Sequence, residues 1–94
     1  MNVEQTSVLT SDGAAKSSSG YVHWVAVSAG GTGGAFQLND STADGGTDLI
    51  DITMAANTTL FMRFGDIGDG ALHFNTGIFV DIPGTNVTVN VGYN

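Results

Sequence analysis

From Asn86 to Tyr93 the chain alternates without a break: Val87, Val89, Val91 and Tyr93 are apolar, and Asn86, Thr88, Asn90 and Gly92 between them are small or polar. Side chains of an extended strand point alternately to opposite faces, so such a segment puts one face in a core and the other toward water or a neighbouring chain. Comparable runs recur at intervals of about ten residues, each bounded by Gly, Asp, Asn or Ser, which is the cadence of a sandwich or barrel. Residues 20–28 (Gly-Tyr-Val-His-Trp-Val-Ala-Val-Ser) are apolar on both faces and read as a central strand. Residues 34–39 alternate through Phe36 and Leu38, residues 47–53 through Ile50 and Ile52, and residues 58–64 through Leu60, Met62 and Phe64. Leu72 and Phe74 mark a run at 71–75, and Ile78, Val80 and Ile82 one after Gly77.

Those seven runs, with 3–9 as an eighth candidate, predict an all-β chain: an antiparallel β-sandwich or a jelly-roll-like barrel of seven or eight strands. Ala, Leu, Glu and Lys never fall at helical spacing, and the one weak candidate, residues 53–57, is too short to be more than a turn. The expected core is Trp24, Phe36, Leu38, Ile50, Ile52, Leu60, Met62, Phe64, Phe74, Ile78, Val80, Val87, Val89 and Val91. Residues 10–20 are small and polar and read as a flexible connection, which makes residues 1–19 an N-terminal arm or edge strand and residues 20–94 the sandwich domain.

At 94 residues the chain has room for one core, and with no cysteine it has no disulfide to reinforce it. Burying further surface against other chains is the remaining support, so a homo-oligomer, with a trimer among the options, is expected. The interface candidates are Val3, Val8 and Leu9, the large apolar residues of the arm, with Tyr21 and His23 on the two-faced strand. The arm is expected to order on a neighbouring chain by adding a strand to its edge.

Two basic residues, Lys16 and Arg63, stand against nine acidic ones, for a formal charge of −7. Phosphate backbones and anionic membrane surfaces require clustered Lys and Arg, so nucleic acid and membrane are poor partners. Met1 to Thr6 has neither the basic end nor the apolar stretch of about 7–15 residues of a secretion signal. The expectation is a product made in a cytoplasm and carried out, if at all, on a particle.

Two Asp-rich loops, 39–48 and 65–70, supply the weak calcium candidates Asp40, Asp44, Asp48, Asp66 and Asp69. Calcium takes six to eight oxygens, which Asp, Asn and backbone carbonyls on a Gly-rich loop can offer, but the spacing fits no EF-hand and the same pairs are ordinary turn formers. His23 and His73 could bind a metal or respond to pH if paired, whereas a histidine on a half-buried strand is more often simply hydrogen-bonded. No cofactor is expected, and no ion is expected to be needed for folding. Nor is there a catalytic set: Cys is lacking, Glu4 is the one glutamate, and no Ser sits in a strand-to-helix elbow. Gly30 to Gly34 has no following lysine or helix and reads as a flexible hairpin loop. Trp24 with Tyr21 could form a sugar-binding platform, but a lone Trp in a short β domain reads first as a core anchor.

Three phrases carry a resemblance: Gly20 to Ser28, Phe36-Gln37-Leu38-Asn39-Asp40-Ser41, and the stretch from Asn75-Thr76-Gly77-Ile78 to Gly84-Thr85-Asn86-Val87-Thr88-Val89. Together they are similar to a group of small virion structural proteins of tailed bacteriophages. The likeness spans residues 20–93 and consists of strand and turn residues, so it transfers no functional residue. It implies a non-enzymatic structural component of the virion, a capsid decoration protein or cement protein partnered with the major capsid protein or another virion protein. A tail- or fibre-associated role and a carbohydrate- or calcium-dependent binding module are the alternatives.

Overall fold

The computed structural model describes residues 4–66, 69–84 and 86–94. Among these residues there are nine strands: β1 (Gln5–Leu9), β2 (Gly13–Lys16), β3 (Gly20–Ala29), β4 (Gly34–Asp40), β5 (Thr47–Met54), β6 (Thr59–Arg63), β7 (Leu72–Phe74), β8 (Ile78–Asp81) and β9 (Val87–Tyr93). They form two antiparallel sheets packed as a sandwich. Sheet A has the order β1-β9-β3-β6, with β7 also paired to β3, and sheet B has the order β2-β8-β4-β5. The all-β expectation holds, with no helix among the described residues.

The alternation read from the sequence decides which side chains lie between the sheets. Val87, Val89 and Val91 of β9 meet Phe36 and Leu38 of β4, Ile50 of β5 and Ile78 and Val80 of β8 in one buried cluster. Ile52, Leu60, Met62 and Phe64 pack against its margin.

Trp24 corrects the expected core. It lies on the outer face of sheet A, because β3 carries a bulge: Val22 pairs with Tyr93 while Trp24 pairs with Gly92, so two steps along β3 match one along β9. A bulge shifts the side-chain phase by one residue. Val22 therefore points inward with Val25 and Val27, all three buried, and Trp24 and Ala26 turn outward. This phase change is why residues 20–28 read as apolar on both faces.

Two further expectations change. Gly13–Lys16, read as part of a flexible connection, is a strand on β8, its small residues fitting close to the core: a Cβ on Gly13 would come within 2.8 Å of the Leu9 side chain. Gly30 to Gly34 is not a hairpin loop, since it carries the chain from β3 in sheet A to β4 in sheet B. Gly33 sits there at φ +70°, the left-handed region that glycine tolerates at no steric cost. Val3 lies outside the described residues, and the rest of the N-terminal segment that is in strands pairs within its own chain, β1 with β9 and β2 with β8.

The facing arrangement predicts a sharp contrast between two phenylalanines. Phe36→Ala removes a fully buried ring and should cost about 3–5 kcal/mol, whereas Phe61→Ala on the outer face should stay within about 1 kcal/mol. Guanidinium unfolding monitored by Trp24 fluorescence measures both.

Candidate functional site

The two outer faces of the sandwich differ in chemistry. The ladder of sheet A places Thr6, Gly92, Trp24 and Arg63 in one row and Val8, Asn90, Ala26 and Phe61 in the next. Phe61 is 63% and Val8 61% exposed, and the Trp24 and Phe61 rings sit 6.2 Å apart at a tilt of 34°. Trp24 lies flat over Gly92, where any Cβ would strike the indole, and its Nε1 donates to Glu4. Apart from Glu4 and Arg63 at one margin, these two rows carry no charge.

Of the expected interface residues, Val8 is on this face and Leu9 is half-buried against the core. Tyr21 stacks on His73 at 4.6 Å, at the β3–β7 end of the sheet. His23 is corrected: at 5% exposure it is enclosed by its own chain and has nothing to offer a neighbour. Its Nδ1 lies 2.9 Å from the Gly65 carbonyl oxygen and its Nε2 bonds the Asn94 side chain, so the bulged residue ties the β6–β7 loop to the end of the chain. The two histidines have separate partners and are not a metal pair.

The outer face of sheet B collects the acid. The five calcium candidates do not converge there or anywhere else. Asp40 accepts from the backbone N–H groups of Thr76 at 2.7 Å, Asn75 at 3.0 Å and Gly77 at 3.4 Å, and so holds the β7–β8 turn. Asp48 accepts from the Asn39 amide. Asp66 lies 3.8 Å from His23 Nδ1 and 4.0 Å from the Arg63 guanidinium, and the Asp69 N–H donates to the Asp66 carbonyl in a turn. Only Asp44 joins a cluster, with Asp12 and Asp81, in which one carboxylate oxygen of each lies within 4.8 Å of the other two.

Sequence reasoning missed Asp12 and Asp81. Asp12 belongs to a turn and has one oxygen fixed by the Ile82 N–H at 2.7 Å. Asp81 lies on the outward phase of β8, between Val80 and Ile82, which point inward. The phase of that strand was a signal that Asp81 faces outward, but nothing in the spacing tells that residues 12, 44 and 81 meet.

The crowding has an electrostatic consequence. Partial burial, reinforced by the neighbouring Asp44 and Asp12 charges, pushes the Asp81 carboxyl up to about 6. Asp40 goes the other way, held below the ordinary carboxylate range by the Thr76 and Asn75 N–H groups. A carboxyl raised in the folded state binds its proton more tightly there than in the unfolded chain, so its contribution to stability grows as pH falls through that value. Asp40 contributes above the ordinary value and loses that contribution in stronger acid. In buffer without divalent cations the melting temperature should therefore rise from about pH 7 to about pH 5 and fall again below about pH 4. Asp81→Asn should flatten the first limb and leave the second; thermal melts across that range measure it.

The chain matches no protein-family model, no curated protein and no solved structure.

Proposed function

We propose that this chain is a non-enzymatic structural subunit that binds a larger protein assembly through the outer face of sheet A. Capsid decoration or cementing on a tailed-phage virion is the specific form that the sequence resemblance implies. The observation that carries the reading is the Trp24, Phe61 and Val8 face: three large apolar side chains on a nearly uncharged surface of a chain whose formal charge is −7. Exposed apolar patches rimmed by polar groups mark protein interaction sites. The occupant that fits is a neutral, apolar protein surface, since the acidic outer face of sheet B repels both its own copies and other acidic proteins.

Size favours many copies over one tight contact. Four strands about 4.8 Å apart and about five residues long at about 3.3 Å each outline roughly 300 Å². A stable one-to-one interface takes about 800 Å² per partner. A patch of this size works best when repeated over a lattice, each bound copy adding through effective concentration what a single contact lacks.

Phe61→Asp puts a charge in the middle of the patch without touching the core. Particles purified on a density gradient from cells that produce the chain with its virion should carry the wild-type chain and lose most of the Phe61→Asp variant, while both melt within a few degrees of each other. Wild-type chain absent from the particle fraction, or the variant retained at the same copy number, overturns the reading.

A further inference from the structure

We infer that two copies of this chain pair through the free edge of β6, antiparallel and about a two-fold axis at Phe61, so that sheet A of one copy continues into sheet A of the other. The pairing uses backbone groups at the side of the sandwich, and it stands whether or not the outer face of sheet A docks on an assembly.

The sandwich has four edge strands, β1 and β6 in sheet A and β2 and β5 in sheet B. An edge leaves a row of N–H and C=O groups open, and folded chains blunt it with charges, bulges or very short strands. β2 is short, and its register shifts between Ala14 and Lys16. β5 carries Asp48 and Asp51. β1 opens with Gln5, Thr6 and Ser7, which offer a neighbour little apolar surface. β6 has no such guard: Thr59-Leu60-Phe61-Met62 is uncharged and ends on Arg63, and among the described residues β6 pairs with β3 alone.

The ladder shows which groups of β6 are open. Antiparallel partners alternate between residues that exchange both backbone hydrogen bonds and residues that exchange none. At one end the Ala29 N–H donates to the Thr58 carbonyl at 2.9 Å, and at the other the Phe64 N–H donates to the His23 carbonyl at 2.7 Å. Both ends give the same phase. Leu60, opposite Val27, and Met62, opposite Val25, bond to β3, which turns the N–H and C=O groups of Thr59, Phe61 and Arg63 to the free side.

An axis at Phe61 matches that open row to itself. Phe61 lies opposite its counterpart and exchanges both bonds with it, and Thr59 does the same with Arg63 of the second copy. Moving the axis by one residue in either direction leaves Thr59 or Arg63 beyond the end of its partner strand. The side chains agree with the backbone. On the inner side Leu60 meets Met62 of the second copy, and both are half-buried at the margin of the core, where the pairing covers them. On the outer side the two Phe61 side chains form a cross-strand pair about 4.5–5.5 Å apart at Cβ. Each ring is 6.2 Å from its own Trp24, so one aromatic row crosses the axis. Arg63 faces Thr59, and no like charges on β6 are opposed.

The contact is short. A five-residue edge at about 3.3 Å per residue, along a sandwich about 10 Å thick, brings together roughly 170 Å² per copy, well under the about 800 Å² of a stable one-to-one interface. The pair is therefore reversible, with a Kd on the order of 0.1 mM. Its effect is to join two outer faces of sheet A into one continuous surface.

Sedimentation velocity of the full chain from about 10 μM to about 1 mM, at about 0.15 M salt, should show a reversible monomer–dimer equilibrium. Thr59→Pro removes an open N–H that β3 does not use and sets a ring against the approaching strand, a change tolerated at the first residue of an edge strand. It should weaken dimerisation at least about tenfold while melting within a few degrees of wild type. Phe61→Lys sets two like charges face to face on the axis, should weaken dimerisation as much, and decides the matter should Thr59→Pro fail to fold. Val8→Asp, on the outer face but at the far edge of sheet A, should dimerise like wild type, so loss of docking and loss of pairing are read separately. Because the chain has no cysteine, Phe61→Cys and Val8→Cys each place a single thiol, and a short bis-maleimide should join two Phe61→Cys chains but not two Val8→Cys chains. A monomer at about 1 mM, dimerisation unchanged in Phe61→Lys, assemblies larger than dimers, or cross-linking at Val8→Cys as readily as at Phe61→Cys each overturns the pairing.

Discussion

Everything in this fold hangs on β3, the strand that pairs with β9 along one side and with β6 and β7 along the other. Its bulge at His23 decides which residues enter the core and which are displayed. In a regular strand of the same sequence, with no bulge, Trp24 would share the inward phase with Val22, and Val25 would face water. The bulge is itself held by the bulged side chain, whose two ring nitrogens reach the Gly65 carbonyl and the Asn94 amide. A buried imidazole with both nitrogens engaged keeps one orientation, so the phase of the central strand is pinned by hydrogen bonds as well as by packing.

The sandwich sorts its charge by face. Asp12, Asp44, Asp48 and Asp81 lie on or over sheet B, while the middle rows of sheet A carry Thr6, Asn90 and Ala26 with the half-buried Trp24 and the exposed Phe61. This separation leaves the charge-poor rows of sheet A free to display apolar side chains while the acidic residues gather on the other sheet. Glycine takes part directly: Gly92 leaves the floor on which the Trp24 indole rests, and a side chain there would lift the ring off the sheet.

Much of the fold was legible because period-2 alternation reports the inward face of a strand directly. Residues 86–93 gave β9 and its buried valines, and the residues flanking Gly30, Asn57 and Gly77 gave boundaries within a residue or so. What alternation cannot report is a change of phase inside a strand, which is why Trp24 reads as a core residue. It also fails for strands of tiny residues: Gly13, Ala14 and Ala15 carry too little apolar surface to stand out, yet the absence of a side chain at Gly13 is what leaves room for Leu9. The carboxylate cluster was illegible for a different reason. Residues 12, 44 and 81 have no spacing in common, and only the pairing of β2, β8 and β4 brings them together.

The pairing of β3 with β9 also governs how the chain must fold in time. Ala29 waits for Val87 and Trp24 for Gly92, contacts that close very long loops, and β1 completes sheet A only by finding β9. Domains dominated by such distant pairings fold in milliseconds to seconds rather than microseconds. Through that interval the valines of β3 stay uncovered. The excess of acidic over basic residues is then what keeps copies of the nascent chain apart, before the core that will cover those valines has closed.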